Sequence, residues 1–283
     1  MCNLTVSVGS DAESNLNSAQ KAAFRDANEY SVIDISLTSN GEKISDFDGG
    51  CVTVDIPFKW TKKGFLRAYF VDESGQKTPI DITYANGTAS LILTHFSAYV
   101  IEVSEQIPFT DVPQGEYYYD AVAWALKNNI TRGTTTSTFA PDAITTRGQI
   151  VTFLWRAAGS PEPASTDSSF TDIEPNAFYY KAVQWAVENS IVKGVSSTAF
   201  SPNAAITRGQ CVTFLARYKG VKDDAIAYEH SFSDVTSTDY FYNAVAWAEM
   251  NGITTGTTET TFAPKDTCTR GQIATFLYRT FAK

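Results

Sequence analysis

The chain repeats one unit of about sixty residues three times, and this period limits the possible folds more than its composition does. Each copy opens with Phe-Thr-Asp or Phe-Ser-Asp, carries a tryptophan 15 positions later, and has the arginine of Thr-Arg-Gly-Gln 23 positions after that. The copies begin at Phe109, Phe170 and Phe232, which are 61 and 62 positions apart. Such a period is typical of repeat architectures, in which one unit cannot bury its own apolar face. We therefore expect the function to reside in positions that recur.

Composition excludes several classes of protein. The chain has 283 residues, 43% of them hydrophobic, which predicts a buried core and two domains. A net charge of −9 argues against nucleic acid binding, because neutralising phosphates requires a surplus of Lys and Arg on one face. No apolar run approaches the roughly 18 to 20 residues that span a bilayer. The first residues lack a signal-peptide pattern, which indicates an intracellular protein or a piece of a longer precursor.

Residues 1–103 are predicted to form a small β-rich module with one short helix between Asn15 and Asn28. Alternating apolar residues indicate strands after that helix. The Asn86-Gly87 pair predicts a hairpin turn of type I′, because both central residues of that turn need positive φ. The strands are expected at 32–37, 51–56, 65–71, 79–84, 90–93 and 98–103.

Residues 107–283 are predicted to form a second domain of three helix-loop-helix repeats, at about 109–158, 170–219 and 232–283. Apolar residues recur at helical spacing on both sides of a loop rich in Thr and Ser. In the first copy Gly133 is expected to end the helical turn before the loop. The predicted fold class is α+β with more than one domain: a small antiparallel β domain, then a mainly α-helical repeat domain.

Thr-Arg-Gly-Gln at the start of the second helix contains a residue that helix formation does not explain. Thr and Gln match a capping box, in which each side chain satisfies a backbone N–H group. An arginine in the first turn faces the positive end of the helix dipole, which is mildly unfavourable. Its recurrence predicts a nearby anion, held by free N–H groups and the guanidinium. These arginines are Arg147, Arg208 and Arg270.

Two sources of that anion remain open. Asp111, Asp172 and Asp234 are internal carboxylates that would pair with the arginines within or between repeats. The other source is an external acidic ligand. Arg132 and Lys193 favour the ligand, because each precedes a loop glycine expected near the same helix start. The third copy has Thr255 at that position, so two stronger sites and one weaker site are predicted.

Other candidate residues have structural explanations. The tryptophans would offer flat faces for sugar stacking, but a helical position among Ala and Val is more typical of core. Cys211 and Cys268 replace apolar or small residues of the other copies and are predicted in the core. Cys2 and Cys51 would form a disulfide if they lie close together. The tryptophans of the repeats are Trp124, Trp185 and Trp247.

Catalytic and metal sites have little support. His95 and His230 do not recur, and neither has a Ser, Cys or Asp arrangement typical of nucleophilic catalysis beside it. Asp46 and Asp48 offer too few oxygens for calcium and are better explained as a solvated turn. We therefore predict no enzyme activity, no metal and no cofactor.

The order of these motifs resembles the S-layer homology (SLH) repeat: F-x-D-(V/I), then A-V-x-W-A, then a loop ending F-x-P, then T-R opening the second helix. The resemblance spans about Phe109 to Arg279, and the preceding residues are similar to a small β-module that often comes before such repeats. It implies a three-repeat pseudo-trimer. It also implies attachment of a bacterial surface protein to a secondary cell-wall polysaccharide, commonly one with pyruvate ketals, in grooves between repeats.

The resemblance assigns ligand-binding roles to the arginine of T-R, the early aspartate and the loop glycine of each repeat. The glycines are Gly133, Gly194 and Gly256. Two departures bear on which polymer is bound. Gly-Gln follows the arginine where the family usually has Ala-Glu. The residues after the loop glycine are Thr-Thr-Thr, Val-Ser-Ser and Thr-Thr-Glu, where the family often has aromatic residues with Gly-Asp.

The predicted function is therefore a non-catalytic, extracellular anchoring module, associated with the cell wall or S-layer of a Gram-positive type surface. It would bind an acidic, pyruvylated glycan between repeats and carry N-terminal cargo domains of a longer protein. The alternative is a protein-interaction or S-layer lattice scaffold whose Arg and Asp residues pair internally. A third hypothesis, that the β-module belongs to a wall hydrolase, has no recurrent carboxylate pair to support it.

Overall fold

The computed structural model describes residues 2–25, 27, 29–44, 49–59, 64–165, 167–223 and 229–282. The chain divides into two compact units, one of Met1–Thr110 with Thr134–Thr138 and the other of Asp111–Gly133 with Phe139–Lys283. The Asn28 end of the predicted helix, the Asp46 and Asp48 calcium candidates and the side chain of Cys2 lie outside the described residues. Cys51 carries a free, exposed thiol.

The first unit is built from two antiparallel sheets. The larger has the order β1-β2-β9-β5-β6, with β3 also paired to β2, and the smaller has the order β4-β8-β7. The strands are β1 (Cys2–Val8), β2 (Glu29–Ser39), β3 (Glu42–Ile44), β4 (Val52–Pro57), β5 (Phe65–Val71), β6 (Lys77–Ile80), β7 (Ile82–Ala85), β8 (Thr88–Leu93) and β9 (Ala98–Ser104).

Alternating side chains place the larger sheet between two apolar layers. In β2, Ile33 packs toward Leu91 of the smaller sheet, whereas Val32 packs with Leu16 and Phe24 beside the helices. This is the consequence of the two-residue period of a strand, which sends successive side chains to opposite faces. Both faces of the central strands are therefore buried.

Several predictions for this unit are confirmed, and others are wrong. Asn86 and Gly87 have φ of 52° and 83° between β7 and β8, as the hairpin prediction required. Instead of one helix there are two short ones, α1 (Ser10–Ser14) and α2 (Ser18–Ala22). The predicted strand 79–84 is divided into β6 and β7, which lie in different sheets. β1 and β3 were not predicted.

The second unit contains a pair of helices in each repeat. The first helix of each pair buries its Ala and Val residues, and the second begins with a complete capping box between Thr and Gln, as predicted. The helices are α3 (Tyr119–Lys127), α4 (Arg147–Ala157), α5 (Tyr180–Glu188), α6 (Arg208–Tyr218), α7 (Tyr242–Met250) and α8 (Arg270–Phe281). Gly133 does not end α3, because the left-handed turn after that helix is made by Asn129 at φ 56°.

A closed ring of backbone hydrogen bonds joins the three repeats. Thr145 N–H donates to the carbonyl of Cys268 at 2.9 Å, Cys268 N–H to that of Ile206 at 3.0 Å, and Ile206 N–H to that of Thr145 at 2.9 Å. All three residues are fully buried. Buried backbone groups must be paired, so each repeat supplies a partner that its neighbour needs. Cys211 is also buried and free, which confirms that both cysteines of this unit pack as small apolar residues.

The predicted fold class is wrong in describing a mainly α-helical repeat domain. The described chain is 27% helix and 22% strand, and its regular structure is eight short helices and two antiparallel sheets. In the repeats each helix has only nine to 12 residues, and residues outside the helices outnumber those inside. The physical reason is that apolar periodicity covers short segments, while the stretches rich in Thr, Ser and Pro between them form ordered loops. None of the helices in the described ranges is long and apolar enough to cross a membrane.

Candidate functional site

The aspartate of each F-x-D motif holds the F-x-P loop of its own repeat. The carboxylate of Asp172 accepts hydrogen bonds from the N–H groups of Phe200 at 2.8 Å and Ser201 at 2.6 Å. Ser201 has φ of 58°, so this carboxylate stabilises a left-handed residue that is not glycine. Asp111 makes the same pair of bonds to Phe139 and Ala140, and Asp234 to Phe262 and Ala263.

The arginine of each Thr-Arg-Gly-Gln motif reaches the F-x-P loop of the next repeat. Arg147 donates from Nε to the carbonyl of Phe200 at 2.9 Å, and its guanidinium lies 4.6 Å from the centre of that ring. Burial to 4% exposure lowers the pKa of Arg147, which nevertheless stays protonated. Arg208 bonds in the same way to Phe262, and Arg270 to Phe139, which closes the cycle of three repeats.

The start of the second helix is not open to a ligand, contrary to prediction. Arg147 N–H donates to the carbonyl of Ala204 at 2.9 Å, and Gly148 N–H to that of Pro202 at 2.8 Å. The threonine cap takes the N–H of Gln149. The neighbouring repeat therefore uses the groups that were expected to hold an anion. The same backbone bonds join Arg208 to Asp266, Gly209 to Pro264, Arg270 to Ala143 and Gly271 to Pro141.

The arginines and aspartates that were predicted to pair inside the protein are linked only indirectly. No ion pair within 4.0 Å links these arginines to Asp111, Asp172 or Asp234 among the residues described. Instead both groups bind the backbone of the same Phe, the carboxylate at its N–H and the guanidinium at its carbonyl. Burial acts to raise the pKa of Asp172, but the hydrogen bonds from Phe200 and Ser201 outweigh it and the net pKa is lowered.

A cavity of about 250 Å³, which we call groove 2, lies where the repeats meet around Lys193. It brings together the predicted Arg147, Lys193 and Gly194. It also contains residues that sequence reasoning missed, above all Arg217 and Tyr240. The remaining lining residues are Val195, Gln210, Thr213 and Phe214.

Asp223 partly neutralises groove 2. Its carboxylate receives two hydrogen bonds from Arg217, at 2.9 Å from Nε and 2.6 Å from an Nη atom, and lies 3.6 Å from Nζ of Lys193. The hydrogen bonds from Arg217 lower the pKa of Asp223, against the effect of burial, and the charge of Lys193 adds to that lowering. Arg217 also donates to the carbonyl of Ile191 at 3.5 Å, which keeps it beside the loop.

The repeat register assigns the same positions to two further grooves. In groove 1, burial and, to a lesser degree, the charge of Arg132 lower the pKa of Arg156. In groove 3, the charge of Arg208 acts to lower the pKa of Tyr117, although burial raises it overall. Groove 1 comprises Arg270, Arg132, Gly133, Arg156 and Phe178, and groove 3 comprises Arg208, Thr255, Gly256, Arg279 and Tyr117.

The exposed aromatic rings at the grooves are not the tryptophans, and the prediction that the tryptophans pack in the core is confirmed for two of them. Trp185 and Trp247 are 6% and 8% exposed and pack in the core, and the half-buried Trp124 packs on Tyr278 and Phe281. The rings open to solvent stand eight positions after the first Phe of each copy. They are Tyr117, Phe178 and Tyr240, at 59%, 61% and 53% exposure.

The three loop positions require glycine for different structural reasons. Gly133 and Gly256 have φ of 87° and 84°, which favours glycine. At Gly194 a Cβ would lie 2.4 Å from Phe170 and 2.3 Å from the carbonyl oxygen of Ser196. These glycines are therefore required by the loop fold, whether or not they touch a ligand.

Comparison with known proteins identifies the repeated unit. Residues 108–151, 169–210 and 231–274 each match the S-layer homology domain. A cell surface protein of Thermoanaerobacter kivui is 33% identical over 45% of the chain and 17% of its own length. An endoglucanase of Bacillus sp. strain KSM-635 is 31% identical over 60% of the chain and 18% of its own length. Exoglucanase XynX of Acetivibrio thermocellus is 25% identical over 86% of the chain and 24% of its own length.

The chain thus spans less than a quarter of the length of these three relatives. S-layer homology domains are non-catalytic modules that anchor proteins to the cell wall by binding its polymers. Relatives of both kinds, surface proteins and enzymes, carry them. The chain therefore carries three S-layer homology domains, at 108–151, 169–210 and 231–274, a kind of domain found in cell-surface and S-layer proteins.

Proposed function

We propose that the three repeats bind an acidic, carboxylate-bearing polysaccharide of the cell wall in the grooves between repeats, with pyruvate ketals as the acidic group. The observation that carries this proposal is groove 2, where Arg147, Lys193 and Arg217 line one cavity. A carboxylate on a sugar is a suitable partner for guanidinium and ammonium donors. Anchoring, without catalysis, is the proposed role of the chain as a whole.

The exposed rings support a sugar as the carrier of that carboxylate. Tyr240 lines groove 2 beside the cations, and half of its surface is open to solvent. An aromatic ring offers a flat apolar face with a polar edge, which suits one face of a sugar. Three such sites on one chain would retain a polymer more firmly than one, because binding at the first raises the effective concentration at the others.

Sedimentation with purified cell-wall sacculi tests this proposal. We expect the protein to pellet with sacculi, and to stay in solution once the wall polysaccharide has been removed chemically. Lys193→Ala should weaken pelleting, because Lys193 is 73% exposed and contributes charge to groove 2 without a role in the core. Lys181→Ala is the matched control, since this exposed lysine pairs with Glu162 outside the groove. Equal pelleting of all three proteins would exclude binding through groove 2.

A protein-interaction or lattice scaffold is the second candidate function. It is favoured by the internal role of the arginines, which are buried and bound to Phe carbonyls of the next repeat. A scaffold of this kind would form ordered assemblies in the absence of wall polysaccharide. Light scattering of the purified chain at rising concentration distinguishes it from an anchoring module that stays monomeric.

A further inference from the structure

A carboxylate of the chain itself, that of Asp223, pairs with two cations that line groove 2. Asp223 binds Arg217 with two hydrogen bonds and lies 3.6 Å from the Lys193 ammonium, so it occupies donors that would otherwise face an acidic ligand. Arg147 lines the same cavity, as does Tyr240, whose pKa is raised by burial and, to a lesser degree, by the charge of Asp223.

The carboxylate at the matching position of the first repeat has a different partner. Glu162 stands 61 positions before Asp223 and pairs with the exposed Lys181 at 2.8 Å. In groove 1 the repeat register places the cations Arg132 and Arg156 at the positions of Lys193 and Arg217. In the described part of the chain, no ion pair within 4.0 Å joins either of them to a carboxylate. Both grooves therefore have two cations at the same repeat positions. Among the described residues, a carboxylate of the chain pairs with the cations of groove 2 but not with those of groove 1.

We propose that Asp223 is a specificity-determining residue: it competes with the ligand's carboxylate for Arg217 and Lys193, so groove 2 binds acidic sugars more weakly than groove 1. This rests on the proposed function. Binding in groove 2 requires the ligand to displace Asp223 from its cations, whereas groove 1 has no such step. The three grooves then differ in their affinity for acidic sugars. Groove 1 binds them strongly, groove 2 binds them more weakly because Asp223 neutralises its cations, and groove 3 has Thr255 in place of a cation.

Titration of the full chain with D-glucuronate, followed by NMR of the glycine amides, tests this proposal. Gly194 reports on groove 2 and Gly133 on groove 1. We expect Gly133 to respond at lower glucuronate than Gly194. Asp223→Asn should tighten binding at Gly194 by about fivefold, the scale of one partly exposed ion pair. Glu162→Gln, the matched control, should leave both responses unchanged.

The outcomes separate this inference from the proposed function. If glucuronate shifts both glycines but Asp223→Asn leaves Gly194 unchanged or weaker, Asp223 does not compete and the inference fails alone. If glucuronate shifts no groove amide in either protein, both the inference and carboxylate binding in the grooves are overturned. A thermal melt of Asp223→Asn close to that of the unmodified protein excludes a change in fold as the cause.

Discussion

The guanidinium of Arg208 lies 4.7 Å from the ring centre of Phe262 and donates to the carbonyl of the same residue. Sequence reasoning identified this arginine because it recurs without helping its helix. It did not identify the neighbouring carbonyl as the partner, because that carbonyl belongs to a loop 54 residues away. The recurrence of a residue thus indicated a shared contact, but not which atoms make it.

Replacing Arg208 with Met should destabilise the protein by about 2 to 4 kcal/mol, because a charged hydrogen bond and a cation–π contact are lost together. Urea unfolding measures this loss. Lys193→Ala, at an exposed side chain, should change the stability by less than about 0.5 kcal/mol. Equal stabilities of the two variants would show that the buried arginine does not hold the repeats together.

The stability contributed by Asp172 should depend on pH. Its folded pKa lies below its ordinary value, so its contribution is fully present above that ordinary value and disappears as pH falls through the lowered folded pKa. Urea unfolding at pH 7, 5 and 3 should therefore find the protein more stable than Asp172→Asn at pH 7, with the difference closing at the acid end. A difference that grows on acidification would contradict the role of this carboxylate.

At the scale of elements, local sequence signals were sufficient where the partner is close in sequence. The capping boxes, the Asn86-Gly87 hairpin and most strands were predicted because their determinants span few residues. The short helix α1, the strands β1 and β3 and the division into two sheets were not. The strands and their sheets depend on pairing across the chain, as in β1 against β2 and β2 against β9. The prediction of a mainly α-helical repeat domain was wrong for a similar reason, because the loops of the repeats are held by contacts with a neighbouring repeat.

The residue at position 148 must be small because a side chain of the next repeat packs against it. A Cβ at this position would lie 2.9 Å from the ring of Tyr179 in the next repeat, which explains Gly where the family usually has Ala. Gly148→Ala should destabilise the protein by about 1 to 2 kcal/mol, although Ala is the better helix former. Thermal unfolding of Gly148→Ala in a Tyr179→Leu background checks the cause, since removing the ring should abolish most of the loss. An unchanged loss there would point to the backbone instead.

For the whole molecule, the period of about sixty residues predicted that the copies pack together, but not how. The ring of Thr145, Ile206 and Cys268 and the cyclic Arg–Phe contacts join each copy to the next. The groove cations Arg156, Arg217 and Arg279 recur nine positions after the first arginine, and the exposed rings recur as regularly. That signal was present in the sequence. It was missed because a last-turn arginine is ordinary in a helix and only the assembled repeats bring it to a groove.

In the proposed function, the assembled grooves recognise the carboxylate of a wall polysaccharide. The most direct test compares, by calorimetry, binding of the purified polymer before and after its carboxyl groups are reduced to alcohols, which removes the charge and keeps the sugar chain. We predict that the native polymer binds and that the reduced polymer loses most of its affinity. Equal affinity for the two polymers would contradict recognition of an acidic group by Arg147, Lys193 and Arg217 and their counterparts.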